Sequence, residues 1–178
     1  MIEVSQHPPS GHPVDLDRLT PDTWAALLVL DQALRAEGFR PVVRSAYRSC
    51  AEQAEQYAIG RTAPGTITTH AKGCQSWHVL GRAVDIDLQP ASYARMGEIA
   101  KNLGWKWGGD FKGFPDVGHV EFHPGLTIEQ ACPDPDACVD REPGELVSPA
   151  TARKFRMVPV ILGGIAGGVV AALLSGKG

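Results

Sequence analysis

Ser76-Trp77-His78-Val79-Leu80-Gly81-Arg82-Ala83-Val84-Asp85 sets one imidazole and one carboxylate seven positions apart, with a glycine between them. Downstream, Asp116-Val117-Gly118-His119-Val120-Glu121 adds a second imidazole and further carboxylates. Two histidines and one aspartate make three protein ligands for a zinc ion. They leave one corner of the tetrahedron open, which marks a metal site that does chemistry rather than one that only holds structure. His78 and Asp85 are too far apart to share a helical turn. They converge if the chain bends near Gly81, where the missing Cβ permits a turn or a close approach, and if Asp85 lies on a strand. Ala83-Val84-Asp85-Ile86-Asp87-Leu88 alternates apolar and acidic side chains, the period of a half-buried strand that puts Asp85 and Asp87 on one face. Val120-Glu121-Phe122 reads as another strand. Two neighbouring strands of one sheet would then present Asp85 and His119 to the same ion.

Taken alone, His-x6-Asp is a weak signal, because such a pair arises by chance in many globular chains. The distant Asp-x-x-His strengthens it, and the surrounding motifs strengthen it further. Ser-x-His-x-x-Gly-x-Ala-x-Asp at 76–85, then Gly104-Trp105, Trp107-Gly108-Gly109-Asp110 and Asp116-x-x-His119, resembles the M15-type zinc peptidases of peptidoglycan. That group includes D-alanyl-D-alanine carboxypeptidases and the L-alanyl-D-glutamate endopeptidases found among phage endolysins. Upstream, Ser45-Ala46-Tyr47-Arg48-Ser49 matches the family's Ser-Gly-Tyr-Arg segment with Ala for Gly. Gln53, Gly60-Arg61-Thr62 and Gln75-Ser76-Trp77-His78 are similar to the endolysin branch. The resemblance spans about residues 20–125. One departure is Phe111, where an endolysin often carries Trp after Gly-Gly-Asp; it bears on the substrate groove rather than on the metal.

The resemblance implies an α+β fold: helices packed on one side of a small, mainly antiparallel sheet, with a zinc site like that of hedgehog domains and D,D-peptidases on the exposed face. It implies Zn2+ held by His78, Asp85 and His119. Asp116 would take a proton from the attacking water and deliver it to the leaving amine. The Arg48 guanidinium would face the oxyanion, a kind of help often worth about 3 kcal/mol. Other readings stay open at several of these positions. Asp116 also suits a turn, since Pro115-Asp116-x-Gly118 is good turn chemistry, and Arg48 also suits a surface ion pair. Glu121 is a rival base and His123 a rival ligand. Gln53 either touches substrate or faces solvent, and Ser76 either bonds substrate or orders its turn.

The chain has 178 residues, 21% charged, with a net charge of −3. That length fits one domain plus tails, and the charge does not point to nucleic acid. Residues 1–19, with Pro8, Pro9, Gly11 and Pro13, read as an irregular lead-in, and His7 and His12 there as surface histidines. Residues 20–125 form the expected peptidase domain. Thr20-Pro21-Asp22 opens a helix as cap, first-turn proline and first-turn acid, which Gly38 closes. Phe39–Ala46 reads as a strand, and Ser49-x-x-Glu52 as the capping box of a second helix to about Ala58. Residues 60–75 lack periodicity and read as a binding loop along the cleft, with His70 a loop histidine. A further amphipathic helix covers 92–103. Trp105 and Trp107 read as core packing beside a tight turn, with a sugar-stacking surface as the rarer outcome.

Residues 126–152 read as a linker. Cys132 and Cys138 could close a small disulfide loop in an oxidising space, leaving Cys50 and Cys74 over; four free thiols are the other reading. Asp134, Asp136 and Asp140 lack the glycine and final Glu of a calcium hand. Residues 153–178 combine a basic flank, Arg153-Lys154-Phe155-Arg156, with an uncharged run over 158–174. That run is near the lower limit of ~17–25 residues for a spanning helix, and its Gly-x-x-x-Gly pairs suit helix packing in membranes. The expectation is therefore an apolar C-terminal helix with membrane association, or else a glycine-rich tail. No charged and then apolar segment opens the chain, so no ordinary secretory signal is expected. The basic flank would keep the domain cytoplasmic, whereas a cell-wall substrate lies in the periplasm or outside. A phage lysis enzyme released when the membrane fails would reconcile the two.

The function expected is zinc-dependent hydrolysis of an amide in a peptidoglycan stem peptide, between L-Ala and D-Glu, with D-alanyl-D-alanine carboxypeptidase as the second choice. From another class, a zinc-containing module could bind cell wall without cutting it, though it would not need Asp116 and Arg48.

Overall fold

A computed structural model describes residues 2–144 and the backbone of residues 157–160 and 170–173. Helix α1 (Pro21–Ala36) is followed by strand β1 (Arg40–Ser45), helix α2 (Cys50–Ala58), strand β2 (Ala83–Gln89), helix α3 (Tyr93–Asn102), the short strand β3 (Lys106–Trp107), strand β4 (His119–Glu121) and the single turn α4 (Ile128–Ala131). The sheet runs β1-β2-β4-β3 with every pairing antiparallel. This is the small antiparallel sheet with packed helices that the motifs imply.

Local chemistry accounts for the elements. Thr20 caps α1 by accepting from the Thr23 amide, with Pro21 at the first helical position. Ser49 and Glu52 close a reciprocal capping box on α2. Along β2 the pleat turns Val84, Ile86 and Leu88 into the core, where they meet Leu27, Leu30 and Leu34 of α1 and Met96 and Ala100 of α3. Asp85 and Asp87 therefore point to the opposite face. One face of the sheet is thus filled by α1 and α3, and the other is left for polar chemistry.

The lead-in is irregular, as expected, but it is not idle. Val4 bridges Val43, with Ser5 and Glu3 exchanging backbone hydrogen bonds with Val43. This covers the outer edge of β1, while Ile2, Val4, Val14 and Leu16 pack on the core. Trp105 is buried in that core, and Trp107 lies on β3 with its ring against Gly97 and Gly109; a Cβ at either glycine would come within 2.3 Å of it.

Two expectations about the C-terminal part are corrected. The cysteines do not pair as Cys132–Cys138, and none of the four is free. Cys50 bonds Cys138 and Cys74 bonds Cys132. The segment from Ile128 to Arg141 is thereby strapped back onto the body, helped by Asp140, whose carboxylate accepts from the Tyr47 hydroxyl and the Cys50 amide. The apolar C-terminal helix is not borne out among the described residues either. Residues Met157–Val160 (β5) and Val170–Leu173 (β6) form a two-stranded antiparallel pair. Among the described residues no helix is long and apolar enough to cross a membrane, which overturns the transmembrane expectation. β-Branched Val158, Val160 and Val170 favour extended backbone, and Pro159 lacks the amide that a helix interior needs. The basic flank and residues 161–169 and 174 of that run lie outside the described residues.

Candidate metal centre

β2 and β4 pair so that Asp85 stands directly opposite His119. His78 reaches them from the loop ahead of β2, which turns back at Gly81 with φ +67°. A Cβ there would lie 2.4 Å from the Arg18 carbonyl oxygen, so both the conformation and the space demand glycine. The donor atoms converge. His78 Nε2 lies 3.2 Å from His119 Nδ1 and 3.3 Å from Asp85 Oδ1, and His119 Nδ1 lies 2.8 Å from Asp85 Oδ1. All three residues are buried, and one donor atom from each lies within 4.8 Å of the others, a group that could hold a metal ion.

The donor set fits zinc. Ligands bonded at ~2.0–2.1 Å in a tetrahedron sit roughly 3.3 Å from one another, which is close to this triangle. The remote atoms are tied back. His78 Nδ1 donates to the Ala46 carbonyl at 2.6 Å, and because a carbonyl only accepts, Nε2 is left with its lone pair facing the triangle. His119 Nε2 hydrogen-bonds Glu121 Oε1 at 3.1 Å. Three electron-pair donors converging in a buried place call for a cation.

The charges are strongly coupled. Burial works against the Asp85 carboxylate, but attraction to His78 and hydrogen bonds from His119 and His78 outweigh it and hold its pKa well below the usual range. Burial also opposes a charged His119 ring, yet hydrogen bonds to Asp85 and Glu121 push its pKa up to about 10. His78 goes the other way: burial, with Arg48 and His119 adding to it, lowers its pKa. Two adjacent imidazoles therefore differ sharply, one inclined to neutrality and one to hold a proton.

Around the triangle lies a cleft of about 300 Å³ lined by Arg48, His70, Ser76, Phe111, Lys112 and Asp116. Loop 68–71 forms one wall, as the sequence suggests, and 111–116 the other; they touch through an edge-on contact between His70 and Phe114, centroids 5.1 Å apart. Asp116 is part exposed. Its backbone is fixed by Gly108, whose carbonyl accepts from the Asp116 amide at 2.9 Å, and its Oδ1 accepts from the Gly118 amide. A Cβ on Gly108 would lie 2.4 Å from the Asp116 carbonyl oxygen, so that glycine lets the segment approach. Arg48 is largely buried; desolvation lowers its pKa, opposed by Asp85, Glu52 and Asp116.

The other candidate residues take different places around the triangle. Gln53 neither touches the cleft nor faces solvent. It is fully buried, accepts from Arg48 Nη1 at 2.8 Å and donates to the Ala71 carbonyl at 2.7 Å, so it orients Arg48 and anchors the cleft loop. Glu121 and His123 are not on the ligand triangle. Glu121, at the edge of the cleft, meets the far nitrogen of His119, and His123 in turn meets Glu121. Ser76 is buried at the cleft wall, and its carbonyl accepts from the Val79 and Leu80 amides. Arg44 was not foreseen: its guanidinium lies 3.7 Å from Asp87 and 3.9 Å from Asp116. The only hint was alternation in β1, which puts Arg44 on the face opposite Val43.

Residues 69–122 match the model of a peptidase M15 family, D-alanyl-D-alanine carboxypeptidase. The chain is 36% identical over 113 residues to the peptidoglycan L-alanyl-D-glutamate endopeptidase CwlK of Bacillus subtilis (strain 168), an alignment that covers 53% of this chain and 68% of that protein. The chain belongs to the M15 peptidase family. The chain is also similar to the L-alanyl-D-glutamate peptidase of Listeria phage A118, 24% identical over 120 residues, which are 61% of this chain and 40% of that one. Among solved structures, the L-Ala D-Glu endopeptidase ChiX of Serratia marcescens matches with a TM-score of 0.45 at 24% identity, covering 61% of this chain and 83% of that chain. The stretch matching the M15 model contains His78, Asp85, Asp116 and His119, and stops short of the strap that begins after it.

Proposed function

We propose that this chain is a zinc-dependent peptidase that hydrolyses the amide between L-alanine and D-glutamate in peptidoglycan stem peptides. The observation that carries the reading is the convergence of His78 Nε2, Asp85 Oδ1 and His119 Nδ1 at the floor of a cleft that also holds Arg48 and Asp116. CwlK, 36% identical, is an enzyme of that bond by name. Cell-wall action also agrees with the two disulfides, which persist in oxidising spaces outside the cytoplasm.

His78, Asp85 and His119 would hold the metal. When bound, zinc supplies a Lewis acid for the carbonyl oxygen and acidifies water near neutral pH. Asp116, at the cleft wall and partly open to solvent, accepts the proton of the attacking water and passes it to the departing amine. The Arg44 guanidinium lies 3.9 Å from its Oδ1. Arg48, held by Gln53, presents a fixed positive charge to the oxygen of the tetrahedral centre; its burial strengthens that effect because little water screens it. Ser76, His70 and Phe111 line the groove for the peptide.

The second reading is a D-alanyl-D-alanine carboxypeptidase, favoured by the family model over residues 69–122. The metal chemistry is shared and the released group differs. Incubation with purified peptidoglycan, with and without chelator, separates them. New amino-terminal D-Glu that disappears with chelator and returns with zinc is the expected result; free D-Ala instead favours the carboxypeptidase. Tight sedimentation with peptidoglycan and no new termini after zinc is restored favours a binding module and overturns the peptidase.

A further inference from the structure

β4 continues its alternation beyond its own end. His119, Glu121 and His123 fall at i, i+2 and i+4, so in extended backbone all three side chains share a face. They form a chain of contacts behind the ligand triangle. His119 Nε2 meets Glu121 Oε1 at 3.1 Å, Glu121 Oε2 meets His123 Nε2 at 3.2 Å, and His123 Nδ1 hydrogen-bonds the Leu126 carbonyl at 2.9 Å. The His123 ring stacks flat on Trp77, with centroids 3.9 Å apart and planes 5° from parallel. Trp77 directly precedes His78, the first ligand. Glu121 and His123 are each under a tenth exposed.

A buried carboxylate with no role would cost stability, because removing a charge from water is expensive unless it is fully paired. Here both oxygens are used, and one is aimed at the nitrogen of His119 that does not face the other ligands. A histidine can offer its Nδ1 lone pair to a metal only if its proton is held on Nε2, and an acceptor at Nε2 holds it there. We infer that Glu121 and His123 are positioning residues: Glu121 fixes the tautomer and ring angle of His119, and His123, clamped between Leu126 and Trp77, fixes Glu121. Through Trp77 the relay also ties the His119 segment to the His78 segment, so the two imidazole ligands are set by one rigid unit. The inference rests on the zinc-peptidase reading above and extends it to residues that do not touch the metal.

The test is zinc affinity of purified full-length protein, by competition with a chromophoric chelator, and the visible spectrum of the cobalt-substituted protein. Glu121→Ala is expected to weaken zinc about 10–100-fold and to shift the cobalt bands. Glu121→Gln keeps an acceptor for His119 and is expected to bind within about threefold of the wild type. His123→Phe preserves the stack on Trp77 but frees Glu121; several-fold weaker zinc is expected, and it decides the matter if Glu121→Ala does not fold. A folded Glu121→Ala or His123→Phe protein with wild-type zinc affinity and unchanged cobalt bands overturns the relay. If the wild-type protein itself takes up no zinc, the peptidase reading fails; if it binds zinc and cuts peptidoglycan while the variants bind equally well, only the relay fails.

Discussion

Asp85 Oδ1 and His119 Nδ1 lie 2.8 Å apart at directly opposed positions of two antiparallel strands. A one-residue slip of either strand would send one of them to the core face. The register that packs Val84 and Val120 in the core therefore also assembles the ligand triangle. In the metal-free protein the pair holds a proton on His119, whose pKa is pushed up to about 10.

The consequence for pH is direct. A histidine raised in the folded state contributes stability that is fully present below its ordinary value of ~6.5 and is lost as pH rises through about 10. Metal-free protein should therefore melt at progressively lower temperature between about pH 7 and pH 10, and Asp85→Asn should flatten that trend. Zinc takes the place of the same proton, so binding at neutral pH should release about one proton. Calorimetry in buffers of different ionisation enthalpy measures it, and proton release near zero at pH 7.5 would contradict the coupling.

Arg48 and Gln53 yield a second prediction. Gln53 accepts from the guanidinium and donates to Ala71, so its loss frees Arg48 without touching the ligands. Gln53→Ala should lower kcat for peptidoglycan hydrolysis by about 10-fold, less than the ~10²–10³-fold cost of removing a preorganised oxyanion donor outright. Zinc affinity should stay near wild type. An equal loss of zinc would mean that Gln53 supports the whole site.

Much of this was legible in the sequence because the signals were local. Thr20-Pro21 and Ser49-x-x-Glu52 cap the helices they announce, and the alternation over residues 83–88 gave both the strand and the face of Asp85. What was hidden depended on partners distant in sequence. Gln53 is buried because the loop carrying Ala71 folds over it, and Glu121 lies behind His119 because His123 and Trp77 hold it there. Disulfide connectivity does not follow from spacing, so Cys132 and Cys138, close in sequence, bond to Cys74 and Cys50 instead. The apolar run over 158–174 suited a spanning helix by length and hydropathy alone, while Pro159 and the β-branched residues beside it favoured strand.

Asp116 offers a separation of chemistry from metal binding. It is outside the triangle, it is held by backbone contacts to Gly108 and Gly118, and Arg44 lies 3.9 Å away. Asp116→Asn should cut kcat by ~10²–10⁴-fold, the range for general acid–base groups, with zinc content and thermal stability near wild type. Arg44→Met should reduce kcat less. Residual activity of Asp116→Asn within twofold of wild type would move the proton-transfer role elsewhere.

The strap sets the last expectation. Cys74 lies two residues before Ser76, at the entrance to the His78 loop, and Cys50 lies two residues after Arg48; both are bonded to the segment that follows α4. Gly73, with φ +51°, brings its backbone against Pro135, where a Cβ would lie 2.1 Å from the carbonyl oxygen. The strap therefore presses on the loops that carry the ligand and the guanidinium, while the core between α1, α3 and the sheet does not depend on it. Loss of one native disulfide typically costs about 2–5 kcal/mol. Thiol reduction, or paired Cys74→Ala and Cys132→Ala substitution, should lower the melting temperature and reduce hydrolysis at least 10-fold even below the new melting point. Far-UV circular dichroism of the helices should be retained. Cys50→Ala with Cys138→Ala should act mainly on kcat through Arg48, and full activity in reduced, folded protein would show that the loops hold their geometry unaided.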